Sequence, residues 1–593
     1  MWSTSARNED IEREGAHLGR FLLFDDSMED VYNQKDTYLR KKSEAAVVVK
    51  VESIHWKSSQ PLTEDYLRHF DRVAALYDYN PWTSSSWQER AEQLDRERQL
   101  SADRAGLACV LKRFNERAGN APEAMRAVNL LKDERTLCVV GGQQAGLFTG
   151  QTLVIYKAIT LIQTAKLAAE RLGRPVVPVF WIAGEDHDFD EVNHIQYLSQ
   201  DMQVSKIKIE HPTGKRSSVS NLSIPQEQWE AALNELDQSL IPTEFKDDLM
   251  SSLRAFAEQS ITLVDLFAKI MAKLFGSHGL VLVNSDDPAL RRLESPMFRE
   301  LLEHYAPIND AVHRSTAQVV TLGYKPQVEA QANSANLFVI DDDERVLLYA
   351  DEASQDFTDR KKERAFAREQ LLAWAETAPE RLSNNVMTRP LMQEYLFPVL
   401  GTVLGPGEIA YWALSKGAFH HLGMQMPIII PRLEFTLLEG TVQKNMHKYD
   451  LTLDDVLHRL DEKQQEWLRK QDTLQLEERF AQVKQQFKAS YQPLIEITAG
   501  INPGLGKLGE TNMAKILEQI DFLENKAQDA VRTQFDAALR QFQRISASVL
   551  PLGKPQERVY NIIHYLNKYG SGWLNELLEA GLEPDGQHKI CYL

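Results

Sequence analysis

The sequence predicts an α/β fold in which a parallel sheet, covered by helices on both faces, precedes a long helical arm. Residues 137–183 have the pattern of a strand, a glycine turn, a helix and a second strand, which together make one βαβ unit. The second strand is apolar without alternation, as in parallel strands that are buried on both faces. Beyond Arg432 the chain becomes rich in Glu, Gln, Lys and Leu. These observations place the sheet first and the arm after it.

The first 135 residues are predicted to form a mainly helical segment that packs on the core. An aromatic turn at 77–82 interrupts their helical pattern. Residues 1–19 are charged and contain no apolar stretch of signal-peptide length. No later apolar run approaches the roughly 20 residues that span a bilayer. We therefore expect neither export nor a membrane partner.

The predicted core, 136–435, begins with an apolar strand that ends in a glycine-rich turn, 141–150. Apolar residues then recur at helical spacing until Gly173, where the helix is expected to end. The turn matches neither of the common nucleotide-binding glycine signatures. Backbone N–H groups at the start of the helix would still suit an anion. A tight crossover without a ligand explains the glycines equally well.

The second strand, 175–183, ends in the acidic and histidine run Glu185, Asp186, His187 and Asp188. Ligands of open α/β sheets bind outside the carboxyl ends of the strands, where both this run and the glycine turn fall. We therefore predict that one pocket holds both. The structural alternative for the run is a solvated, acid-capped helix start.

Later elements are predicted to complete the core. An exposed strand is expected at 203–209, helices at 226–276, and a strand that returns to the sheet at 279–283. A β-hairpin is expected at 337–349, and 427–431 gives the last core strand. The sheet is thus expected to carry inserted connective segments.

Residues 436–550 are predicted to form the arm, and 551–593 a C-terminal segment. Apolar stripes recur on two helices at steps of three and four, and the glycine and proline stretch 500–509 separates them. Antiparallel packing about this break would bury both stripes against each other and could join two subunits. A helical appendix explains the pattern as well. The stripes are Phe480, Val483, Phe487, Tyr491 and Leu494, then Ile516, Ile520, Leu523, Ala527 and Ala530, continued by Ala538, Phe542, Ile545 and Val549.

Composition limits the classes of function. The 593 residues exceed one ordinary core, so two or three structural units are expected. The formal charge of −18 disfavours a nucleic-acid partner, whose phosphates need clustered Lys and Arg. Cys109, Cys138 and Cys591 lack the spacing of a zinc site, and their odd number suits a reducing compartment. We therefore expect a cytoplasmic protein with small-molecule ligands.

Seven runs of residues resemble one known family. The runs are 142–150 (GQQAGLFTG), 156–159 (YKAI), 179–194 (VFWIAGEDHDFDEVNH), 286–291 (DDPALR), 385–394 (NVMTRPLMQE), 405–412 (GPGEIAYW) and 555–561 (PQERVYN). Taken in this order, they resemble the cysteine ligase family of bacillithiol biosynthesis, the BshC family. The resemblance extends over most of the chain.

The resemblance implies a Rossmann-like parallel-sheet core with inserted connective segments and a long antiparallel coiled-coil arm, in a homodimer. It implies a ligase that joins cysteine to glucosaminyl malate, the last step of bacillithiol biosynthesis. Forming an amide from a carboxylate needs activation, for which ATP with Mg²⁺ is the expected cofactor. The resemblance assigns no metal ligands.

On this resemblance, Glu185, Asp186, His187 and Asp188 are the candidate catalytic residues. Their oxygens suit Mg²⁺ carried with ATP, and the His187 imidazole suits removal of an amine proton near neutral pH. Only two or three members of a consecutive run can converge on one point. The candidate substrate-binding or nucleotide-binding residues are Gly142, Gln143, Gln144, Gly146, Thr149, Gly150, Trp181, Arg389, Gly407 and Glu408.

Several binding candidates have structural alternatives. Thr149 and Gly150 would hold nucleotide phosphate or the malyl group at the helix start, whereas Lys157 is interpreted as structural. Arg389 would bind a carboxylate or phosphate, with a buried ion pair as the alternative. Glu408 would hold a substrate amine or hydroxyl, unless it caps a packed turn.

Two other functions fit the same pattern. A nucleotidyltransferase of this fold would activate a carboxylate without completing the ligation. A non-catalytic scaffold would bind a partner through its coiled-coil arm and retain a ligand pocket. Loss of catalysis in His187→Ala or Asp186→Ala, with the fold intact, would favour an enzyme over a scaffold.

Overall fold

The computed structural model describes residues 37–38, 49–96, 100–351, 353–354, 356–471 and 475–593. The first 36 residues of the predicted helical segment, including 1–19, lie outside the described residues. The predicted aromatic turn lies between α1 and α2. The elements from 37 to 130 are β1 Thr37–Tyr38, β2 Lys50–Ile54, α1 Pro61–Arg68, α2 Ser84–Arg96, α3 Arg104–Arg117 and α4 Pro122–Leu130.

The predicted βαβ unit is present, and the helix that joins its strands, α5, ends at Gly173. The φ of Gly173 is 61°, a left-handed conformation that glycine adopts without strain. The elements from 137 to 284 are β3 Leu137–Gln143, α5 Leu153–Leu172, β4 Val176–Ile182, α6 Phe189–Val192, β5 His194–Leu198, β6 Val204–Lys208, α7 Gln226–Ser239, α8 Lys246–Glu258, α9 Leu263–Phe275 and β7 Val281–Asn284.

The next part of the chain builds a second sheet and then returns to the first. The elements from 288 to 431 are α10 Pro288–Glu303, α11 Tyr305–Thr321, β8 Ser334–Asp341, β9 Glu344–Ala350, β10 Phe357–Thr358, β11 Ala365–Phe366, α12 Arg368–Thr377, β12 Leu382–Asn384, α13 Arg389–Leu396, β13 Val399–Leu404, α14 Pro406–Trp412, α15 Lys416–His421 and β14 Ile428–Pro431. The strands β8 and β9 form the predicted hairpin.

Five strands form one parallel sheet in the order β14-β13-β3-β4-β7. Counted from β7, their chain order is 3-2-1-4-5, which is the order of a doubly wound Rossmann sheet. Val139 and Phe180 face one core layer, whereas Val140 and Trp181 face the other. Both faces are therefore buried, which explains the uninterrupted apolar strands and confirms the predicted fold class.

Strands from distant parts of the sequence form two further sheets. One has the order β11-β10-β9-β8-β12 and contains the hairpin. In the other, of order β1-β2-β16-β15, β16 pairs with β2 and β15, so residues 50–54 meet the end of the chain. These pairings are set by tertiary contacts, and neither β16 nor β13 is among the elements that the sequence pattern predicts.

The elements after the core are β15 Glu434–Leu438, α16 Gly440–Lys448, α17 Leu453–His458, α18 Leu460–Gln471, α19 Leu476–Ile501, α20 Pro503–Gln534, α21 Asp536–Val549, α22 Ile563–Tyr569, α23 Gly572–Glu579 and β16 His588–Tyr592. The antiparallel helices α19 and α20 form the predicted arm. No described helix is both long and apolar enough to cross a bilayer.

The turn of the arm differs from the predicted break at 500–509. Only Asn502 separates the two helices, because α20 begins at Pro503. A Cβ on Gly506 would lie 2.8 Å from the Ala499 Cβ, and one on Gly509 would lie 3.0 Å from a side-chain carbon of Ile495. These glycines therefore bring the two helices close together and do not end α20.

The predicted stripes are only partly covered. Ile495 is the buried residue of α19, while Val483 and Leu494 on α19 and Leu523 on α20 are exposed. The pattern identifies the helices correctly, but it does not determine how each one is rotated about its axis. The prediction that both stripes are buried within one chain is wrong at these three positions and at Ala530, which is also exposed.

Candidate active site

The carboxyl edge of the parallel sheet gathers the polar residues that end its strands. β3 ends at Gln143, β4 is followed by residues 184–188, β7 ends at Asn284, and β13 leads into Gly405. The strand order reverses between β3 and β13, and ligands of such sheets bind near this switch point. Two cavities at this edge are lined by candidate site residues.

The first, here called the hairpin cavity, has a volume of about 310 Å³ and lies between the turn after β4 and the β8–β9 hairpin. All four candidate catalytic residues line it. Its apolar lining includes Val312, Val328, Phe338, Leu347, Met387 and Leu414. Its polar lining includes Glu185, Asp186, His187, Asp188, Gln331, Asn336, Arg345, Asn384, Asn385 and Arg389.

His187 is enclosed by two arginines from inserted segments. Its Nδ1 lies 3.3 Å from Nη1 of Arg345, and its Nε2 contacts Nη2 of Arg216. Burial lowers the pKa of His187, and the two guanidinium groups lower it further, against the opposing effect of Asp188 and Asp186. The imidazole is thereby held neutral near physiological pH, the form in which it can accept a proton.

Asp186 stays ionised because polar partners outweigh its burial. Burial acts to raise its pKa, but Arg345, Gln144 and the backbone N–H of His187 lower it overall. Gln144 Nε2 donates to its Oδ2 at 2.7 Å, and Arg345 Nη1 lies 3.7 Å from its Oδ1. Asp188 is more exposed and lies 3.8 Å from His187 Nε2. Asp186 and His187 therefore converge, with Asp188 at the rim.

Glu185 belongs to a buried ion cluster. It accepts a hydrogen bond from Arg291 at 2.9 Å, and the same guanidinium lies 3.3 Å from Asp286 and 2.8 Å from Glu294. Burial raises the pKa of Glu294 to about 7 and also raises that of Asp286. The cluster fixes the turn after β4 against α10, so Glu185 holds this turn in place as well as lining the cavity.

Arg389, at the start of α13, contributes a cation without a carboxylate partner. Its Nη2 donates to Tyr411 Oη at 3.1 Å, and it makes no ion pair with any described residue. Burial opposes its charge, but Tyr411 and nearby acids including Glu185 and Glu408 keep the pKa of Arg389 above its usual value. Such a guanidinium is suited to bind a carboxylate or phosphate of a ligand.

Asn384 is a second polar group with unused hydrogen-bonding capacity. Its side chain is 1% exposed, and neither Oδ1 nor Nδ2 has a partner among the described residues. An unpaired buried amide costs free energy unless a ligand or water satisfies it. Because Asn384 lines the hairpin cavity, its position favours a polar ligand there.

At the switch point, Lys157 of α5 joins the ends of β3 and β13. Its buried Nζ donates to Gly142 O at 2.7 Å, to Gln143 Oε1 at 3.0 Å and to Glu408 Oε2 at 2.6 Å. Burial raises the pKa of Glu408, but the charge of Lys157 and the N–H of Gly405 lower it overall. Lys157 thus holds Gln143 and Glu408 in place at the edge where ligands bind.

The second cavity, here called the turn cavity, has a volume of about 400 Å³ and lies between the glycine turn and residues 190–196. A Cβ on Gly146 would lie 2.7 Å from Gly150 Cα, so the turn needs glycine where its backbone meets itself. Phe148 and Thr149 have φ values of 46° and 76°, which are strained for these residues. The lining is Gln143, Gln144, Gly146, Thr149, Gly150, Gln151, Leu153, Val154, Asp190, Glu191, Val192, His194, Ile195, Gln196 and Val559.

Asn561 holds this strained turn from the C-terminal segment. Its Nδ2 donates to Phe148 O at 2.8 Å and also to Gly150 O. Tyr560 O accepts from the backbone N–H of Thr152, which precedes α5. The C-terminal segment therefore fixes the conformation of the glycine turn.

The structure separates the glycine turn and the acidic run into two cavities, so the prediction of one shared pocket is wrong. Gln144 lies between them, because its Nε2 donates to Asp186 at 2.7 Å and to Glu191 at 3.0 Å. Trp181 lines neither cavity, since it is buried in the core with its side chain against Gly142. Gly407 and Glu408 lie in the first turn of α14.

The sequence reasoning missed Arg216, Arg345 and Asn384. Arg345 lies in a hairpin strand and Arg216 lies in a loop, and neither segment contains a sequence motif that marks a binding site. Asn384 ends β12 next to the run at 385–394, and the two consecutive asparagines 384 and 385 were a usable signal. No three His, Cys, Asp or Glu residues in the described part of the chain are placed to hold a metal ion.

Comparison with known proteins agrees with this architecture. The model of the N-terminal Rossmann-like domain of bacillithiol biosynthesis BshC matches residues 49–433, and that of its C-terminal coiled-coil domain matches 435–593. The chain belongs to the BshC family. The two BshC matches meet at residue 434, the first residue of β15, where the chain leaves the parallel sheet.

Three curated relatives illustrate the similarity, and each carries the name "Putative cysteine ligase BshC". The protein of Geobacillus thermodenitrificans (strain NG80-2) is 39% identical over 83% of this chain and 91% of its own length. That of Geobacillus sp. (strain WCH70) is 37% identical over 92% and 100%, respectively. That of Bacillus cereus (strain AH187) is 35% identical over 90% and 98%.

Proposed function

We propose that this protein is a ligase that joins the carboxyl group of cysteine to the amino group of glucosaminyl malate, in the last step of bacillithiol biosynthesis. The names of the relatives support cysteine as one substrate, and family membership supports a place in bacillithiol biosynthesis. Glucosaminyl malate follows from the resemblance of the sequence motifs. The hairpin cavity supports the chemistry, because it combines the guanidinium of Arg389, which has no carboxylate partner among the described residues, with a neutral imidazole.

Arg389 is the observation that carries this proposal. Its guanidinium has donors free for a ligand, and Asn384 in the same cavity has an unpaired amide. A carboxylate bound between them would lie in the cavity that also contains His187. His187 would accept the proton that the attacking amine loses, and Asp186 with Arg345 would hold the imidazole in position. The apolar lining suits the small side chain of cysteine.

ATP would supply the energy that converts the carboxylate oxygen into a leaving group. Arg389 and Arg345 in the lining, with Arg216 beside His187, offer guanidinium groups of the kind that bind phosphates, and this supports such a cosubstrate. Mg²⁺ would enter with the nucleotide, and Asp186 and Asp188 offer it oxygen ligands. The chain's own part is to bind the carboxylate, exclude water and take up the amine proton.

A mass-resolved assay tests this function. Purified protein would be incubated with cysteine, glucosaminyl malate and Mg²⁺, with and without ATP. We expect the condensed thiol only with ATP; release of AMP would indicate adenylation, and release of ADP an acyl phosphate. Activation of the carboxylate without condensation would favour the nucleotidyltransferase, and absence of both would favour the scaffold.

We also propose that the arm joins two copies of the chain. Its helices expose large apolar side chains along their length, which a second arm would cover. They include Leu494, Ile497, Ile501, Leu508, Phe522 and Leu523, of which Ile501 is 75% exposed. Light scattering should show a dimer that Ile501→Glu with Leu508→Glu converts to a monomer. The control is Ile261→Glu, at an exposed site outside the arm. A wild-type monomer would contradict the proposal.

A further inference from the structure

Both ring nitrogens of His187 meet a guanidinium group. Nη1 of Arg345 lies 3.3 Å from Nδ1, and Nη2 of Arg216 contacts Nε2. A guanidinium offers only N–H donors, whereas a neutral imidazole has one acceptor nitrogen and a protonated imidazole has none. The ring can therefore accept a hydrogen bond from at most one of the two arginines, and its contact with the other is repulsive.

The two arginines differ in how firmly they are held. Arg345 is buried, and its Nε donates to Ser383 Oγ at 2.8 Å while its Nη2 donates to Asn384 O. Arg216 is exposed. Among the described residues, its side chain is hydrogen-bonded to His187 alone and forms no ion pair. Arg216 is therefore the arginine that can leave the imidazole.

Only the side chain of Arg216 has to move. Its backbone O accepts a hydrogen bond from the N–H of Arg345 at 3.1 Å, and Lys215 Nζ lies 3.8 Å from a carboxylate oxygen of Asp343, in the turn of the hairpin. These contacts fix the loop after β6 on the hairpin, whereas exposed side chains change rotamer within picoseconds to nanoseconds. The guanidinium can therefore turn from His187 to a ligand without a rearrangement of the loop.

The contact with Arg216 blocks the ring nitrogen that faces the rim of the hairpin cavity. Asp188, whose side chain is 55% exposed, lies 3.8 Å from Nε2. Nδ1 instead lies next to Arg345 Nη1 and 3.8 Å from Asp186 Oδ1. Nε2 is thus the nitrogen that a ligand can reach, and it cannot take up a proton while Arg216 donates to it.

Arg216 is suited to bind an anion once its side chain has turned. A guanidinium forms a charge-assisted, bidentate pair with a carboxylate or phosphate, which is stronger than one hydrogen bond to an imidazole. We propose that Arg216 masks His187 in the free protein and is drawn away by an anionic oxygen group of the substrate, which frees Nε2. The inference rests on the proposed function only in assigning the amine proton to the freed nitrogen. Binding of the anion and release of the base are then one event.

Calorimetry on the full chain tests this proposal without catalysis, with L-malate as the carboxylate probe and ADP as the phosphate probe. We expect Arg216→Met to weaken binding of one probe at least about tenfold, which identifies the group that Arg216 binds. Lys215→Met removes a neighbouring exposed charge from the same loop and should change the affinity for either probe by less than about twofold. Unchanged binding of both probes in Arg216→Met, or no binding of either probe to the wild type, would overturn the proposal.

His187→Ala separates masking from a merely structural contact. Without the imidazole, Arg216 has no hydrogen bond to break, so the probe that Arg216 binds should bind at least about threefold more tightly. In the Arg216→Met background, His187→Ala should leave the affinity unchanged, because the two residues act through one contact. Equal or weaker probe binding in the single variant His187→Ala would contradict masking.

Steady-state kinetics separate this inference from the proposed function. Arg216→Met should raise the KM of one anionic substrate at least about tenfold, with kcat no lower than in the wild type and with unchanged thermal stability. Arg216→Lys keeps the charge and should restore part of the affinity. Weaker probe binding in Arg216→Met, without amide formation by the wild type, would contradict only the proposed ligase. Amide formation with wild-type KM values in Arg216→Met would contradict only this inference.

Discussion

The ion pair between Lys157 and Glu408, at the switch point of the sheet, should contribute strongly to the free energy of unfolding. Lys157→Met keeps the length of the side chain but leaves the Glu408 carboxylate without its cation. Removing one partner of a buried pair costs about 3–5 kcal/mol. Because the Glu408 side chain is 24% exposed and keeps the N–H of Gly405, we expect about 3 kcal/mol.

A double-mutant cycle measures this coupling. Unfolding by urea, followed by tryptophan fluorescence, would be compared for Lys157→Met, Glu408→Gln and the double variant. Since Glu408→Gln removes the unpaired charge, the double variant should recover part of the loss caused by Lys157→Met. As a control, Lys484→Met breaks ion pairs on the exposed surface of the arm and should have a much smaller effect. Additive effects of Lys157→Met and Glu408→Gln would refute the reasoning.

Four further predictions follow from individual contacts. His187→Asn should lower product formation about 100-fold. Because burial lowers the pKa of His187, the acid limb of the wild-type pH profile should lie below pH 6.5, and a limb above pH 6.5 would contradict the role of His187 as the base. Asn561→Ala removes two hydrogen bonds to the strained turn and should lower the free energy of unfolding by about 1–3 kcal/mol, measured by urea titration. An unchanged midpoint would show that the turn keeps its conformation without Asn561. Gly146→Ala should force the turn away from Gly150 and lower the free energy of unfolding by about 1–3 kcal/mol in urea titration. An unchanged midpoint would show that the turn accepts a Cβ at this position. Burial raises the pKa of Glu294 from 4.5 to about 7, so the folded chain keeps this proton at pH values at which the unfolded chain has lost it, and wild-type stability should fall as the pH rises from 4.5 to 7. Glu294→Gln should reduce this decline, measured by thermal unfolding as a function of pH. Parallel curves for the variant and the wild type would contradict the assignment.

The sequence predicts those parts of the fold that depend on local pattern. The apolar continuity of β3 and β4 follows directly from burial on both sheet faces, and Gly173 ends α5 with the positive φ that glycine permits. By contrast, β13 was not predicted, although Pro398 separates it from α13 and its residues are mostly apolar. Its Gly401 packs against Ile430 of β14, and this tertiary pairing places the strand in the sheet.

The candidate site is predictable only where its residues are neighbours in sequence. The run at 185–188 lies at the sheet edge because β4 ends there, and the strand pattern gives that position. The arginines around His187 come from residues 216 and 345, and no local rule brings them together. Trp181 lies within β4, and both faces of the sheet are covered there, so its side chain packs in a core layer and not at the ligand edge.

Amide formation by an Arg389 variant tests the central claim, that the hairpin cavity binds the carboxylate substrate of a ligase. Arg389→Gln would be compared with the wild type and with Arg299→Gln, an exposed arginine outside both cavities, at limiting cysteine with ATP and glucosaminyl malate in excess. We predict that Arg389→Gln lowers kcat/KM for cysteine at least about tenfold, with unchanged thermal stability and no effect of Arg299→Gln. Product formation and affinity for cysteine that are the same in Arg389→Gln as in the wild type would contradict the account.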